Sequence, residues 1–170
     1  MCPPSSLQPF LAVFPLLALF ACASVPRGAA TIAPFHSDGC SLFPDGRPEQ
    51  PGLWCDCCLA HDLAYWRGGT AEERLAADQA LRYCVQERTG NRVTAETIYL
   101  GARLGGAPAF PSWYRWGYGW PFRRGYRALG AAEREAAAAQ EAAYRLRNPD
   151  LLCDTRGEPI SRCEAGVPLR

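Results

Sequence analysis

Residues 53–88, LWCDCCLAHDLAYWRGGTAEERLAADQALRYCVQER, decide the fold of this chain. Four side chains in the first half of this stretch recur at the spacing of one helix face: Trp54, Cys58, His61 and Tyr65. The pattern predicts a helix over residues 53–66, which ends at the glycine pair at positions 68 and 69.

A second helix is predicted directly after the glycine pair. Thr70 has the character of an N-cap residue, and Glu73 follows at the spacing of a capping box. This helix is expected to run to about residue 87. Its inner face is predicted to carry Leu75, Asp78, Arg82 and Val85.

The short turn makes the two predicted helices antiparallel neighbours. Residues that face each other should then have numbers averaging close to 69 or 70. His61 is expected to lie level with Asp78, and Cys57 is close enough to reach Cys84.

A histidine that faces an aspartate on the next helix can act as a general base, with the aspartate as the group that orients it. Asp78 would accept one ring N–H of His61 and leave the other nitrogen free to take a proton from water. Tyr65, one turn further on, can donate its hydroxyl to the same carboxylate. Asp62 points about 100° away from His61. Together with Asp38 and loop carbonyls it offers only oxygen ligands, which favour Ca²⁺.

The remaining segments predict an all-α protein. Residues 38–52 contain three prolines and three glycines and are expected to form a loop, in which Asp45 belongs to a turn. His36 is expected to be an exposed loop residue. A third helix is predicted over 94–104, an irregular aromatic segment over 110–126, and a solvated Ala/Glu/Arg helix over 131–147.

Composition limits the possible functions. The chain has 170 residues, 48% of them hydrophobic, which suits one packed domain. A net charge of +1 argues against nucleic-acid binding through phosphate contacts. Nine cysteines indicate either disulfides in an oxidising compartment or a metal site in a reducing one.

The N-terminus favours export. Residues 10–23 are nearly all apolar but are too few to span a bilayer, so they fit the apolar region of a signal peptide. Ala21-Cys22-Ala23 has the form of an ordinary cleavage site, whereas Leu19-Phe20-Ala21-Cys22 resembles a lipobox in which Cys22 is lipidated. The protein is therefore expected to be secreted, periplasmic or lipid-anchored in a bacterial envelope.

At this point the sequence resembles the secreted phospholipases A2, especially the small bacterial and fungal type. The helix motif C-C-x-x-H-D-x-x-Y of that family is matched by Cys57, Cys58, His61, Asp62 and Tyr65. The Asp-x-Cys of the bacterial calcium loop is matched over residues 38–40. The second-helix aspartate, followed six residues later by cysteine, is matched over residues 78–84.

The resemblance implies a calcium-dependent hydrolysis of phospholipid acyl esters, with His61, Asp78 and Tyr65 as catalytic residues. It implies that Ca²⁺ is bound by Asp62, Asp38 and the carbonyl of Gly39. It also implies two disulfides, Cys40–Cys58 and Cys57–Cys84. The substrate partner would be a phospholipid membrane surface, and we expect a monomer.

The expected organisation has four parts. Residues 1–22 form the signal peptide, 23–35 a tether, 36–128 the phospholipase A2-like domain, and 129–170 a C-terminal helix with a cysteine-containing tail. Cys153 and Cys163 can close a local loop in that tail, which leaves Cys55 as the unpaired thiol.

Three alternatives remain open at this stage. His61 can be a structural histidine on a non-catalytic, disulfide-held envelope or lipid-binding protein with the same scaffold. A zinc site can instead use His61 together with four cysteines: Cys55, Cys57, Cys58 and Cys84. The aromatic segment suits either a membrane interface or a core layer or lid over the helix pair.

Overall fold

The structure, a computed structural model, describes residues 31–148. This part of the chain is all-α, with four helices and no β-strand, as predicted. The helices are α1 (Cys55–Arg67), α2 (Ala71–Thr89), α3 (Arg92–Gly105) and α4 (Ala131–Arg147). Across the described range, none of these helices combines the length and the apolar character needed to span a membrane. The predicted signal peptide, Cys22, Cys153 and Cys163 lie outside the described residues.

Helices α1 and α2 form the predicted antiparallel pair. A disulfide joins Cys57 to Cys84, whose Cα atoms lie 5.7 Å apart, and so links the start of α1 to the later part of α2. The turn between the helices needs its glycines, because Gly68 has φ +66° and a Cβ atom there would collide with the backbone of Gly117.

The start of α2 is fixed by the predicted capping box. The Thr70 side chain accepts a hydrogen bond from the Glu73 backbone N–H at 3.2 Å. The Glu73 carboxylate in turn accepts one from the Thr70 backbone N–H at 2.7 Å. Both contacts satisfy backbone donors that a helix end otherwise leaves without a partner.

Replacing Thr70 by alanine is expected to destabilise the protein by about 1 kcal/mol, because the cap acceptor is lost. The melting temperature should fall by about 2–4 °C in a chain of this size. Thermal unfolding followed by circular dichroism measures the change, and Thr70→Ser, which retains the hydroxyl, is the matched control. Equal melting temperatures for the alanine and wild-type proteins would contradict the assigned role of the cap.

The residues that α2 buries are not all those of the predicted face. The buried residues are Arg74, Asp78, Leu81 and Val85. Leu75, predicted to face inward, is 39% exposed. The prediction placed Leu75 on one face with Asp78, but the neighbouring Arg74 makes enough hydrogen bonds to be buried instead.

Two hydrophobic clusters hold the helices together. The first lies between α1, α2 and α3 and includes Trp54, Leu81, Val85 and Ile98. The second includes Ile32, Phe35, Trp66, Trp120 and Ala137.

The second cluster corrects two predictions. Ile32 and Phe35 fall in the predicted tether, yet both are 4% exposed, so these two side chains pack in the core. Helix α4 has the predicted bounds but is not solvated all round, because Ala137 is buried in this cluster. The ring of Tyr144 also packs on Phe35 with centroids 4.6 Å apart.

The aromatic segment divides between the core and the surface. Trp116 and Trp120 are each 2% exposed, and their indole N–H groups donate to the carbonyls of Gly69 and Arg67 at the end of α1. These two residues form the core layer that was one of the sequence interpretations. Other aromatic side chains of the segment are exposed, namely Phe110, Trp113, Phe122 and Tyr126.

The cysteines confirm both disulfides that the resemblance implies and correct one prediction. The Cys40–Cys58 disulfide that the resemblance implies is present and ties the loop to α1. The prediction that Cys55 is unpaired is wrong, because Cys55 is disulfide-bonded. The Cys57–Cys84 disulfide that the resemblance implies is present as well.

Candidate active site

His61 and Asp78 meet between α1 and α2, as the register of the two helices predicts. The Nε2 atom of His61 lies 2.8 Å from Oδ1 of Asp78. Asp78 is fully buried, and the side chain of His61 is 10% exposed. Since an ionised carboxylate only accepts hydrogen bonds, Nε2 carries the proton and Nδ1 is left as the acceptor.

The carboxylate of Asp78 is held in its ionised form. Burial alone would raise its pKa, but hydrogen bonds from His61, Arg103 and Tyr65 outweigh burial and lower the pKa. The Arg103 guanidinium donates to Oδ2 at 2.6 Å. Asp78 therefore remains an acceptor for His61 at neutral pH.

Tyr65 lies where the motif predicts. Its hydroxyl donates to Oδ1 of Asp78 at 2.7 Å and accepts from Nε of Arg74 at 2.9 Å. Burial, followed by the charge of Asp78, raises the pKa of the hydroxyl, so Tyr65 stays protonated and keeps donating. A Cβ atom at Gly106 would collide with the Tyr65 ring, so the end of α3 approaches this ring closely.

Asp62 points away from the dyad toward the loop, as predicted. It is 7% exposed, and its Oδ2 accepts the hydroxyl of Ser37 at 2.5 Å. Burial raises its pKa well above the ordinary value; the bond from Ser37 opposes this shift, and the charge of Asp38 adds to it.

The loop beside Asp62 contains the other predicted ligands. The exposed carboxylate of Asp38 accepts from the Ser41 hydroxyl at 3.0 Å and from the Trp113 indole N–H at 3.1 Å. Gly39 has φ +80°, and its N–H donates to Ser37 at 3.2 Å. Ser37 thus connects the backbone of Gly39 to the carboxylate of Asp62.

Asp45 orders the same loop. Its Oδ1 accepts the backbone N–H of Cys40 at 2.7 Å, which agrees with the structural role expected from the turn sequence. Burial raises the pKa of Asp45; the bond from Cys40 opposes this effect, and the charge of Asp38 increases it.

These residues fit a hard cation. The donors are oxygen atoms, from the carboxylates of Asp38 and Asp62 and from the loop backbone at Gly39, which is the chemistry that Ca²⁺ prefers. The charge of Asp38 raises the pKa of both Asp45 and Asp62, and the charge of Asp45 adds to the effect on Asp62. No arginine or histidine of residues 31–148 forms an ion pair with these carboxylates. A divalent cation would neutralise this accumulated negative charge.

A cavity of about 230 Å³ opens beside the dyad. His61 and Asp62 both line it, next to Gly39 of the loop. Its other walls are largely apolar and come from the loop, α2, α3 and the aromatic segment, including Leu42, Phe43, Leu81, Ile98 and Tyr114. His61, Asp62 and Gly39 therefore border one space that suits an apolar chain.

The cysteines of the zinc alternative are in disulfides. Two clusters in the described part of the chain bring sulfur and carboxylate atoms within 4.8 Å of one another, but the two cysteines of each cluster are disulfide partners. The clusters are Cys40, Asp45 and Cys58, and Asp56, Cys57 and Cys84. Since Cys55 is also disulfide-bonded, the cysteines that this alternative needs cannot act as thiolate ligands.

Three residues that contact the site were not predicted. Arg74 precedes Asp78 by one helical turn, so the i,i+4 spacing was a usable signal for an ion pair. Arg103 comes from α3, and no local pattern relates it to Asp78. Ser37 is next to Asp38 in the sequence, yet nothing in that spacing indicates a contact with Asp62.

Comparisons of this chain with protein-family models, with curated proteins and with solved structures give no match. The resemblance to the secreted phospholipases A2 therefore stays a prediction that depends on the motif residues.

Proposed function

We propose that this chain is a calcium-dependent hydrolase of phospholipid acyl esters, in which the His61–Asp78 dyad activates water. The observation that carries the proposal is the 2.8 Å contact between Nε2 of His61 and Oδ1 of Asp78 at the wall of an apolar cavity. The oxygen donors of Asp62 and Gly39 line the same cavity. His61 and two of the three candidate cation ligands thus line one space, and Asp78 contacts His61 directly.

The protein's own groups support a single proton-transfer route. Nδ1 of His61 takes a proton from water as the water oxygen attacks the ester carbonyl carbon, and the imidazolium then gives that proton to the leaving alcohol. Asp78 stabilises the imidazolium and fixes its orientation, and Tyr65 keeps Oδ1 of Asp78 in place. Among the described residues, no serine hydroxyl or free thiol is hydrogen-bonded to His61, which makes water the nucleophile.

Asp38, Asp62 and the carbonyl of Gly39 are the residues that would hold Ca²⁺. When bound, the cation supplies positive charge for the substrate phosphate and for the developing oxyanion. The Cys40–Cys58 disulfide ties the loop with two of these ligands to α1, which carries the third.

The proposed site of action is outside the reducing cytosol. The apolar segment over residues 10–23 supports export, and disulfide-bonded cysteines accord with an oxidising compartment.

A non-catalytic lipid-binding protein with the same scaffold is the second candidate. It is favoured by the bond from Ser37 to Oδ2 of Asp62, since a hydroxyl occupies one oxygen of an expected cation ligand. Such a protein would use the apolar cavity for a lipid chain without turnover.

Fatty-acid release from mixed phosphatidylcholine and phosphatidylglycerol vesicles separates the two candidates. With millimolar calcium we expect release, and with chelator a fall of about 100-fold or more, because oxyanion stabilisation is lost. The matched variant Asp62→Asn should behave in calcium as the wild type does in chelator. Vesicle binding without release, in either condition, would reject the hydrolase and support the lipid-binding protein.

A further inference from the structure

The two oxygens of the Asp78 carboxylate serve different partners. Oδ1 accepts from His61 at 2.8 Å and from Tyr65 at 2.7 Å. Oδ2 accepts from Arg103 at 2.6 Å, and the nearer nitrogen of Arg74 lies 3.8 Å away. Arg103 therefore makes the only close hydrogen bond to Oδ2 within the described range.

Arg103 is itself held at the level of the dyad. The buried guanidinium of Arg74 donates to the backbone carbonyls of Ala102 and Arg103, at 3.0 Å and 2.8 Å. The same guanidinium donates to Tyr65 and, at 2.7 Å, to the hydroxyl of Tyr126. The end of α3 is thus attached to the helix pair at Arg103, the residue that donates a hydrogen bond to Asp78.

We propose that Arg103 is a positioning residue of the dyad, which holds Oδ2 of Asp78 so that Oδ1 faces His61. This inference rests on the proposed function for its catalytic consequence, but the contact itself does not. A carboxylate bonded at both oxygens keeps one orientation, whereas a buried carboxylate that loses its partner at Oδ2 would turn toward another donor.

The charges around Asp78 agree with this role. The groups that face it are His61 and Tyr65 from α1, Arg74 from its own helix and Arg103 from α3. Arg74 is directed mainly at Tyr65 and at backbone carbonyls, so Arg103 is the cation that meets the carboxylate directly. Loss of the Arg103 charge should make Asp78 easier to protonate.

The test compares Arg103→Gln with Arg103→Lys and with Arg92→Gln. Arg92 lies on the same helix, and its side chain is 81% exposed, so it is a matched control away from the dyad. We expect Arg103→Gln to lower kcat on vesicles roughly 10- to 100-fold with little change in KM, because orientation rather than binding is lost. Arg103→Lys should recover part of kcat, and Arg92→Gln should match the wild type.

A second readout does not need turnover. Titration of the Asp78 carboxyl carbon by NMR should show its midpoint at higher pH in Arg103→Gln than in the wild type, with Arg103→Lys between them. An unchanged midpoint together with an unchanged kcat in folded Arg103→Gln would overturn the proposal. If the wild type shows no hydrolysis but the midpoint moves as expected, the contact role stands and the proposed function alone fails.

The wild-type protein provides a check if Arg103→Gln does not fold. The guanidinium signals of Arg103 should then shift with the same midpoint as the Asp78 carboxyl carbon, because the two groups are hydrogen-bonded. Guanidinium signals that do not follow the Asp78 titration would overturn the proposal without any variant.

Discussion

Replacing His61 by glutamine is expected to abolish ester hydrolysis in a protein that still folds. The glutamine amide can still donate to Asp78, but it cannot accept a proton from water at neutral pH. We expect kcat/KM to fall at least about 1000-fold, within the range that a general base contributes. Fatty-acid release from vesicles measures the loss, and circular dichroism with disulfide mapping shows whether the fold is retained.

His36 is the matched control for this variant. It is the other of the two histidines in the chain, and it is exposed just before the loop. His36→Gln should leave kcat/KM unchanged. Retained turnover in a folded His61→Gln protein would refute the assignment of the base.

Removing the disulfide between α1 and α2 is the second change with a large expected effect. The double variant Cys57→Ser/Cys84→Ser opens a loop with a sequence separation of 27 residues. We expect the free energy of unfolding to fall by about 3–4 kcal/mol, as measured by urea denaturation, because the unfolded chain gains conformational freedom. Hydrolysis should fall as well, since this bond holds the two helices that carry His61 and Asp78.

The Cys40–Cys58 disulfide is expected to affect calcium binding rather than the alignment of α1 and α2. Cys40→Ser/Cys58→Ser frees the loop that contains Asp38 and Gly39 but leaves the α1–α2 bond intact. This variant should need more calcium for half-maximal release, with a smaller loss at saturating calcium. Equal calcium dependence in the two double variants would contradict the separate roles assigned to the disulfides.

The core of the site could be predicted from the sequence because its signals are local. A helix face, a glycine turn and a capping box fix the register of α1 against α2. That register alone places His61 level with Asp78 and Cys57 beside Cys84. The predicted helix bounds agree with the observed ones to within a few residues for the same reason, since helix caps and helix-breaking residues act over short distances.

The contacts that could not be predicted come from distant parts of the chain. Arg103 is separated from Asp78 by 25 positions, and Ser37 by the same number from Asp62. Such contacts depend on how whole helices and loops pack, which no periodic pattern encodes. The burial of Arg74 in place of Leu75 has the same origin, because its hydrogen-bond partners come from α3 and the aromatic segment as well as α1.

The aromatic segment shows a similar limit. Its composition suited both a membrane interface and a core layer, and the structure divides it between burial and exposure. Trp116 and Trp120 are buried because their indole N–H groups reach carbonyls at the end of α1. The positions of those carbonyls are set by the glycine turn, far away in the sequence.

The covalent cross-link between Cys57 and Cys84 has a consequence for the cell that makes the protein. Thiols stay reduced in the cytosol, so a newly synthesised chain there lacks the bond that aligns its two helices. The proposed hydrolase would therefore reach its full activity only after oxidation outside the cytosol.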